Sequence, residues 1–279
     1  MDAADVAAIT DPSERAQAAN KLIDEYQAAI TELSDVRRET LRELITSGMS
    51  QMAIAAMLGM SKSRVSQLLS AGMRPERTFL GTGMITVAVG GKLEAGKPQP
   101  GGVVSSESFG AYELLADLAR SVGLDTTYQV VPPPGHVHLN RANLIVMAGP
   151  RLLPFLDQVL DADPHLGYQH DESGDWYLVD KTTGKEYRSP IDHGEASDYA
   201  YVGRLPRPDG KGTFLYLAGI HAPGNLGAAH FLADNIADLH RELKTRRFST
   251  LVACRFDPKD RKKILSTERL TPLYRHEGS

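Results

Sequence analysis

Three glycine-bearing segments of this chain could each hold an anion. In "MAGPRLLP", residues 147–154, Gly149 and Arg151 follow an apolar run. A helix starting there would offer backbone N–H groups, a helix dipole and a guanidinium. "AGIHAPGNLG", 218–227, repeats the design, with His221 at a strand end and Gly224, Asn225 and Gly227 in the turn that opens an alanine-rich helix. "AVGGK", 88–92, sets Gly90, Gly91 and Lys92 at the end of a third apolar run. In an open parallel sheet the carboxyl ends of the strands share one edge, and ligands bind there at a switch point. One such turn is explained equally well by the tight geometry between strand and helix. Three on one edge point to a small, phosphate-bearing, nucleotide-like ligand. Neither G-x-G-x-x-G nor G-x-x-x-x-G-K-[ST] occurs, so no cofactor is expected.

Catalysis would need more. His221 could act as a base with Glu107 or Asp198 as its partner. No G-x-S-x-G elbow is present, and Ser105–Ser106 lack an oxyanion turn. A nucleotide or nucleoside hydrolase is therefore the rival expectation, and no catalytic residue is assigned. His136 and His138 in "PGHVHLN" could share one strand face and a metal, but no third ligand lies near them in the chain, and a surface loop fits as well. No metal is expected. Trp176 and Tyr177 fit a β core or a base-stacking platform. "RLPRPDGKG", 204–212, reads as a hairpin loop whose Arg204 and Arg207 could reach a phosphate.

A different chemistry is written in "SQMAIAAMLGMSKSRVSQLL", 50–69. Ser50 can cap a short helix, and small Ala55 suits a close helix contact. Gly59 can take the left-handed conformation that turns the chain, and Ser61 can cap a second helix. Val65 and Leu68 then face inward. Lys62, Ser63, Arg64, Ser66 and Gln67 face outward, where a recognition helix meets base edges and phosphates of double-stranded DNA. Arg37 and Arg38 could add phosphate contacts. A helical hairpin with no DNA role is the plainer alternative. Residues 32–72 resemble the helix-turn-helix of sigma-70 region 4, which implies duplex binding through the second helix. Nothing here resembles the region that melts promoter DNA.

Charge agrees with that placement. Residues 1–34 carry seven acidic and two basic side chains, whereas 35–77 carry seven basic and four acidic ones. The net charge of −4 argues against a nucleic-acid coat protein, so any DNA contact must be local. The single cysteine, Cys254, excludes a disulfide framework and a multi-cysteine zinc site. The acidic start and the lack of a long apolar run imply no secretion signal and no membrane contact, hence a cytoplasmic protein.

These groups must be positioned by two kinds of element. Residues 13–47 read as one helix, with Leu22, Tyr26, Ala29, Leu33, Val36, Thr40 and Leu44 on an apolar stripe. The stripe fits a homodimer seam or packing within its own domain. Residues 1–72 thus form an all-α region, and Gly72, Pro75, Gly81 and Gly83 mark 73–83 as a linker. Residues 84–279 alternate strand and helix, predicting a Rossmann-like α/β domain with a mostly parallel sheet. "MITVAVGG", "TTYQVV", "NLIVMAG", "GTFLYLAGI" and a last strand "STLVACRF" build the sheet. Helices are expected at "SFGAYELLADLARSVGL", "PRLLPFLDQVLDA" and 225–244. Four short pieces over 166–205, ending in "YAYVGRL", read as an inserted β-meander.

The layout of "TFLGTGMITVAVGGK", "VPPPG", "NLIVMAGPR", "YRSPID" and "RLPRPDGKGTFLYLAGIHAPG" behind that helix-turn-helix resembles a family of actinobacterial sigma-factor-like helix-turn-helix proteins. The α/β half is similar to Rossmann-like domains of the SLOG and TIR type, which bind or cleave nucleotides. Together these resemblances imply a DNA-binding transcriptional regulator with a ligand-sensing domain, or else a module for dimerisation or protein interaction.

Overall fold

The structure, a computed structural model, describes residues 2–70 and 75–276. The chain divides into two compact units at Met73/Arg74. The described residues of the first form four helices: α1 (Ala3–Ala7), α2 (Pro12–Thr46), α3 (Gln51–Met57) and α4 (Lys62–Ser70). Each start has a local cause. The Asp11 carboxylate accepts the N–H groups of Ser13 and Glu14 at 2.8 and 2.9 Å, with Pro12 opening the helix. Ser50 Oγ accepts from Ala53 N, and Ser61 Oγ accepts from Arg64 N. Gly59 has φ +65°, which a residue with a side chain rarely adopts, so the α3–α4 turn falls there. Leu41, Ile54, Ala55, Val65 and Leu68 form the core of this unit.

The second unit opens with α5 (Arg77–Leu80), inside the expected linker. Phe79 is fully buried and Leu80 nearly so, both in the core of this unit. Burial of these two large apolar side chains is worth about 4 kcal/mol at ordinary apolar transfer energies, and Gly81 ends the helix as its C-cap. The elements continue as β1 (Ile85–Gly90), β2 (Lys92–Leu93), β3 (Gly102–Val103), α6 (Ser106–Ser121), β4 (Thr126–Val131), β5 (Leu144–Met147) and α7 (Leu156–Leu160). Then follow β6 (Leu166–His170), β7 (Trp176–Asp180), β8 (Lys185–Arg188), a 3-10 turn (Pro190–His193), β9 (Ser197–Pro206), β10 (Thr213–Gly219) and α8 (Ala222–Leu243). Three further strands, β11 (Phe248–Asp257), β12 (Asp260–Arg269) and β13 (Tyr274–Arg275), complete the unit.

The central sheet has the order β12-β11-β9-β10-β5-β1-β4, with β13 on β11. β4, β1, β5 and β10 pair in parallel. β9 pairs antiparallel with both β10 and β11, and β11 with β12 and β13. The antiparallel half contains two departures from expectation. "YAYVGRL" is β9, a buried central strand rather than part of the meander, whose own sheet is β6-β7-β8 alone. β12 and β13 follow the strand expected to be last; β12 is mostly exposed, and its charged residues hid its strand character.

One sheet face packs α6 and α8 through Ala111, Leu115, Leu226, Ala229, Leu232 and Leu239. The other packs α7 and the meander through Leu153, Leu156, Leu160, Tyr168 and Leu178. Among the described residues no helix is long and apolar enough to cross a membrane.

Candidate functional site

The carboxyl ends of three adjacent parallel strands, β1, β5 and β10, open on one cavity of about 270 Å³. Gly90, Lys92, Gly149, Arg151, His221 and Asn225 line it, so six of the nine residues singled out by spacing meet there. Gly91, Gly224 and Gly227 do not line it. Their small size serves packing. A Cβ on Gly224 would stand 2.6 Å from Asp198 Oδ2, and one on Gly227 would stand 2.3 Å from Cys254 Cβ.

The expected anion cradles are built differently. α8 starts at Ala222, so Gly224 and Gly227 lie inside the helix and make no turn. Its N-terminus is closed by a protein carboxylate: Asp198 Oδ2 accepts from His221 N and Gly224 N, each at 2.9 Å. Asp198 Oδ1 accepts from Ser189 Oγ at 2.6 Å and Tyr199 N at 2.9 Å. Burial raises the Asp198 pKa above its ordinary value; the Ser189 and backbone hydrogen bonds and the nearby His221 oppose this only in part. α7 begins at Leu156, not beside Gly149, because Pro150 and Pro154 break the pattern. Arg151 therefore acts as an exposed side chain in the turn after β5, without a helix start beside it.

The helix terminus that does face the cavity belongs to α6. Ser105 caps it, its Oγ accepting from Ser108 N at 3.1 Å. Ser105 Oγ also donates to Ser108 Oγ at 3.0 Å. Asn225, 7% exposed, joins this chain: its Nδ2 donates to Ser108 Oγ at 3.1 Å, and its Oδ1 accepts from Gly219 N at 2.8 Å. A continuous polar floor thus runs from the end of β10 to the start of α6. Sequence reading weighed Ser105 only as a nucleophile and did not single out Ser108, although a serine just before an apolar helical run is an N-cap signal.

The walls are apolar. Tyr168 and Trp176 line one side with ring centroids 6.0 Å apart, and Leu152, Val103, Val104 and Ile220 add aliphatic surface. Trp176, for which a β core and a stacking platform were both expected, packs against the core and lines the cavity from β7. Burial pushes the Tyr168 phenol well up, so it stays neutral. Among the described residues no Asp or Glu lines the cavity, while Lys92 and Arg151 do, both exposed and without a hydrogen-bond or ion-pair partner there. The cavity combines two cations, hydroxyl and amide groups, and an aromatic wall. Such a set suits an anion carried by a flat ring.

His221 is fixed at both ends. Its backbone N–H goes to Asp198, and its Nε2 lies 2.8 Å from Asp192 Oδ1 in the 3-10 turn. Neither anticipated carboxylate partners the imidazole: Asp198 takes the backbone N–H, and Glu107 pairs with Arg261 at 3.5 Å. His136 packs on Phe155 at 5.3 Å, and among the described residues no three His, Cys, Asp or Glu side chains cluster as metal ligands. Arg204 is 6% exposed and donates to the Phe79 carbonyl, and Arg207 donates to Asn140 O at 3.0 Å. Burial lowers Arg204 to about 10. Burial also raises the Cys254 thiol to about 12, which makes it inert.

In the first unit Lys62, Ser63, Arg64 and Ser66 are exposed along α4, opposite buried Val65 and Leu68. Arg37 is exposed on α2. The side chains of Arg38 and Gln67 lie outside the described residues. Ile23, Tyr26, Ile30, Leu33 and Val36 are each at least half exposed and follow one another by three or four residues along α2.

The chain matches no family model, no curated protein and no solved structure at a significant level.

Proposed function

We propose that the protein is a DNA-binding transcriptional regulator whose second unit senses a small phosphate-bearing, nucleotide-like ligand. The observation that carries this is an acid-free cavity whose lining includes both Lys92 and Arg151 and the Trp176 indole. Phosphate would meet the two cations and the α6 N-terminus, while a base would lie on the indole. A cavity of about 270 Å³ suits a mononucleotide better than a dinucleotide.

Support for DNA binding comes from α3 and α4. Their turn at Gly59, the buried Ala55 and Val65, and the exposed Lys62, Ser63, Arg64 and Ser66 have the form of a helix-turn-helix. Arg64→Ala is expected to weaken duplex binding by about 1–3 kcal/mol if the guanidinium reads a base. Fluorescence anisotropy with labelled duplex tests this, and unchanged affinity at moderate salt would remove the assignment. The apolar stripe of α2 supports a homodimer, which would carry two such reading helices.

The His221–Asp192 pair favours a second reading, a hydrolase acting on the same ligand. A carboxylate that orients an imidazole at a cavity wall is one way to prepare a general base. That reading predicts turnover abolished by His221→Ala.

A further inference from the structure

The edge of the second unit opposite the cavity is strongly basic. It gathers the β9–β10 turn, the α8–β11 connection and β13, at the amino ends of the parallel strands. Arg207, Lys211, Lys244, Arg246, Arg247 and Arg275 all stand on these segments. Two are neutralised locally, Arg207 by Asp209 at 3.4 Å and Arg275 by Glu242 at 3.0 Å. Lys211, Lys244 and Arg246 are exposed and form no ion pair among the described residues. Between the turns runs an open groove of about 680 Å³, lined by Arg246, Arg247 and Thr213 among others, with no Asp or Glu among its described lining residues.

On a chain of net charge −4, this concentration of cations stands out. Exposed like charges repel one another, so keeping them on neighbouring turns costs stability unless a polyanion covers them. The groove lacks the enclosure and the aromatic wall that a small ligand needs, which sets it apart from the cavity at the other edge. Its residues offer point charges and guanidinium forks with no base-reading helix, a combination suited to phosphates spaced along a duplex.

Position adds to this. α5, the first element after the boundary between the units, is tied to the same edge. Arg204 of β9 donates to the Phe79 carbonyl and approaches Thr213 Oγ1, a groove residue, at 3.5 Å. Arg204 thereby links α5 to the groove within the second unit.

We propose that this edge is a second nucleic-acid contact, which binds the phosphate backbone of duplex DNA. It rests on the reading of the protein as a DNA-binding regulator, and it supplies affinity without sequence choice.

The test uses the full chain, a labelled 40-base-pair duplex of random sequence, and binding measured from low to high salt. The triple variant Lys211→Gln, Lys244→Gln, Arg246→Gln changes only exposed side chains, so an unchanged melting temperature is expected. Every cation that no longer neutralises a phosphate should lower the slope of log affinity against log salt by about 0.9. A slope equal to that of the wild type overturns the proposal. Lys62→Ala with Arg64→Ala is measured alongside. If this pair leaves binding intact while the triple variant removes it, the basic edge stands and the assignment of α4 falls. If the pair removes binding and the triple variant changes nothing, the reverse holds. A wild-type chain that binds no duplex at low salt overturns both.

Discussion

Asp198 Oδ2 accepts the backbone N–H of Gly224 at 2.9 Å, within the first turn of α8. With the His221 N–H on the same oxygen, this carboxylate occupies the place an incoming anion would take at the helix N-terminus. On the proposed reading, this leaves Lys92, Arg151 and the α6 N-terminus to meet an anion in the cavity. It also means that β9 fixes the backbone on which His221 rides.

Asp198→Ala should destabilise the second unit by about 3 kcal/mol, because it leaves four converging buried donors without an acceptor. The pH dependence carries a sign. The folded pKa of Asp198 is raised, so the unfolded chain gives up this proton more easily. Stability from this group is full at low pH and falls as pH rises from the ordinary carboxylate value through the raised one. Urea denaturation across pH should show that fall in the wild type and lose it in the variant.

Asp163 predicts the opposite slope. Burial by itself would raise its pKa, but hydrogen bonds from His276, Ser249, His165 N and Tyr201 outweigh burial and hold it below its ordinary value. Tyr201 OH donates to Asp163 Oδ2 at 2.8 Å, and both residues are fully buried. Its contribution is present above the ordinary carboxylate value and is lost as pH falls through the lowered one. In Asp163→Asn the acid limb of the stability profile should flatten, read by the same denaturation series.

Gly227→Ala should cost about 1–3 kcal/mol, since the added Cβ would meet Cys254 Cβ at 2.3 Å and force α8 off β11. Circular dichroism melting measures this. A neutral outcome would mean that the helix lifts from the sheet freely.

Ile30→Lys tests the α2 stripe. Ile30 is 63% exposed, between Tyr26 and Leu33 on the same face, so the charge should be tolerated within one copy. Between two copies it would be buried, and light scattering should shift from dimer to monomer. An unchanged mass in both proteins would remove the seam.

The sequence showed the strand ends more clearly than what fills them. Gly90, Gly149 and His221 were legible because apolar runs end abruptly there, and parallel strands bring such ends together. Asp198 was legible as a neighbour of His221 but not in its role, because a lone aspartate in "ASDYAYVG" carries no sign that it will accept the backbone N–H groups of a helix start 23 residues later. Trp176 stayed open between core and platform because the meander folds back over the cavity, a tertiary event with no local pattern. The linker reading failed at Phe79 because glycine spacing registers local flexibility, while burial is decided by distant strands. β12 escaped notice because an exposed edge strand need not alternate.

The most direct measurement is a thermal-shift titration of the wild type and of Lys92→Ala with Arg151→Ala against nucleoside monophosphates and diphosphates, with mass spectrometry of the recovered ligand. Both side chains are exposed, so the variant should melt as the wild type does without ligand. A sensor predicts that some nucleotide raises the wild-type melting temperature by mass action, is recovered intact, and binds about 10- to 100-fold more weakly for each of the two cations replaced. A nucleotide that stabilises both proteins equally, or none that stabilises either, would contradict the site.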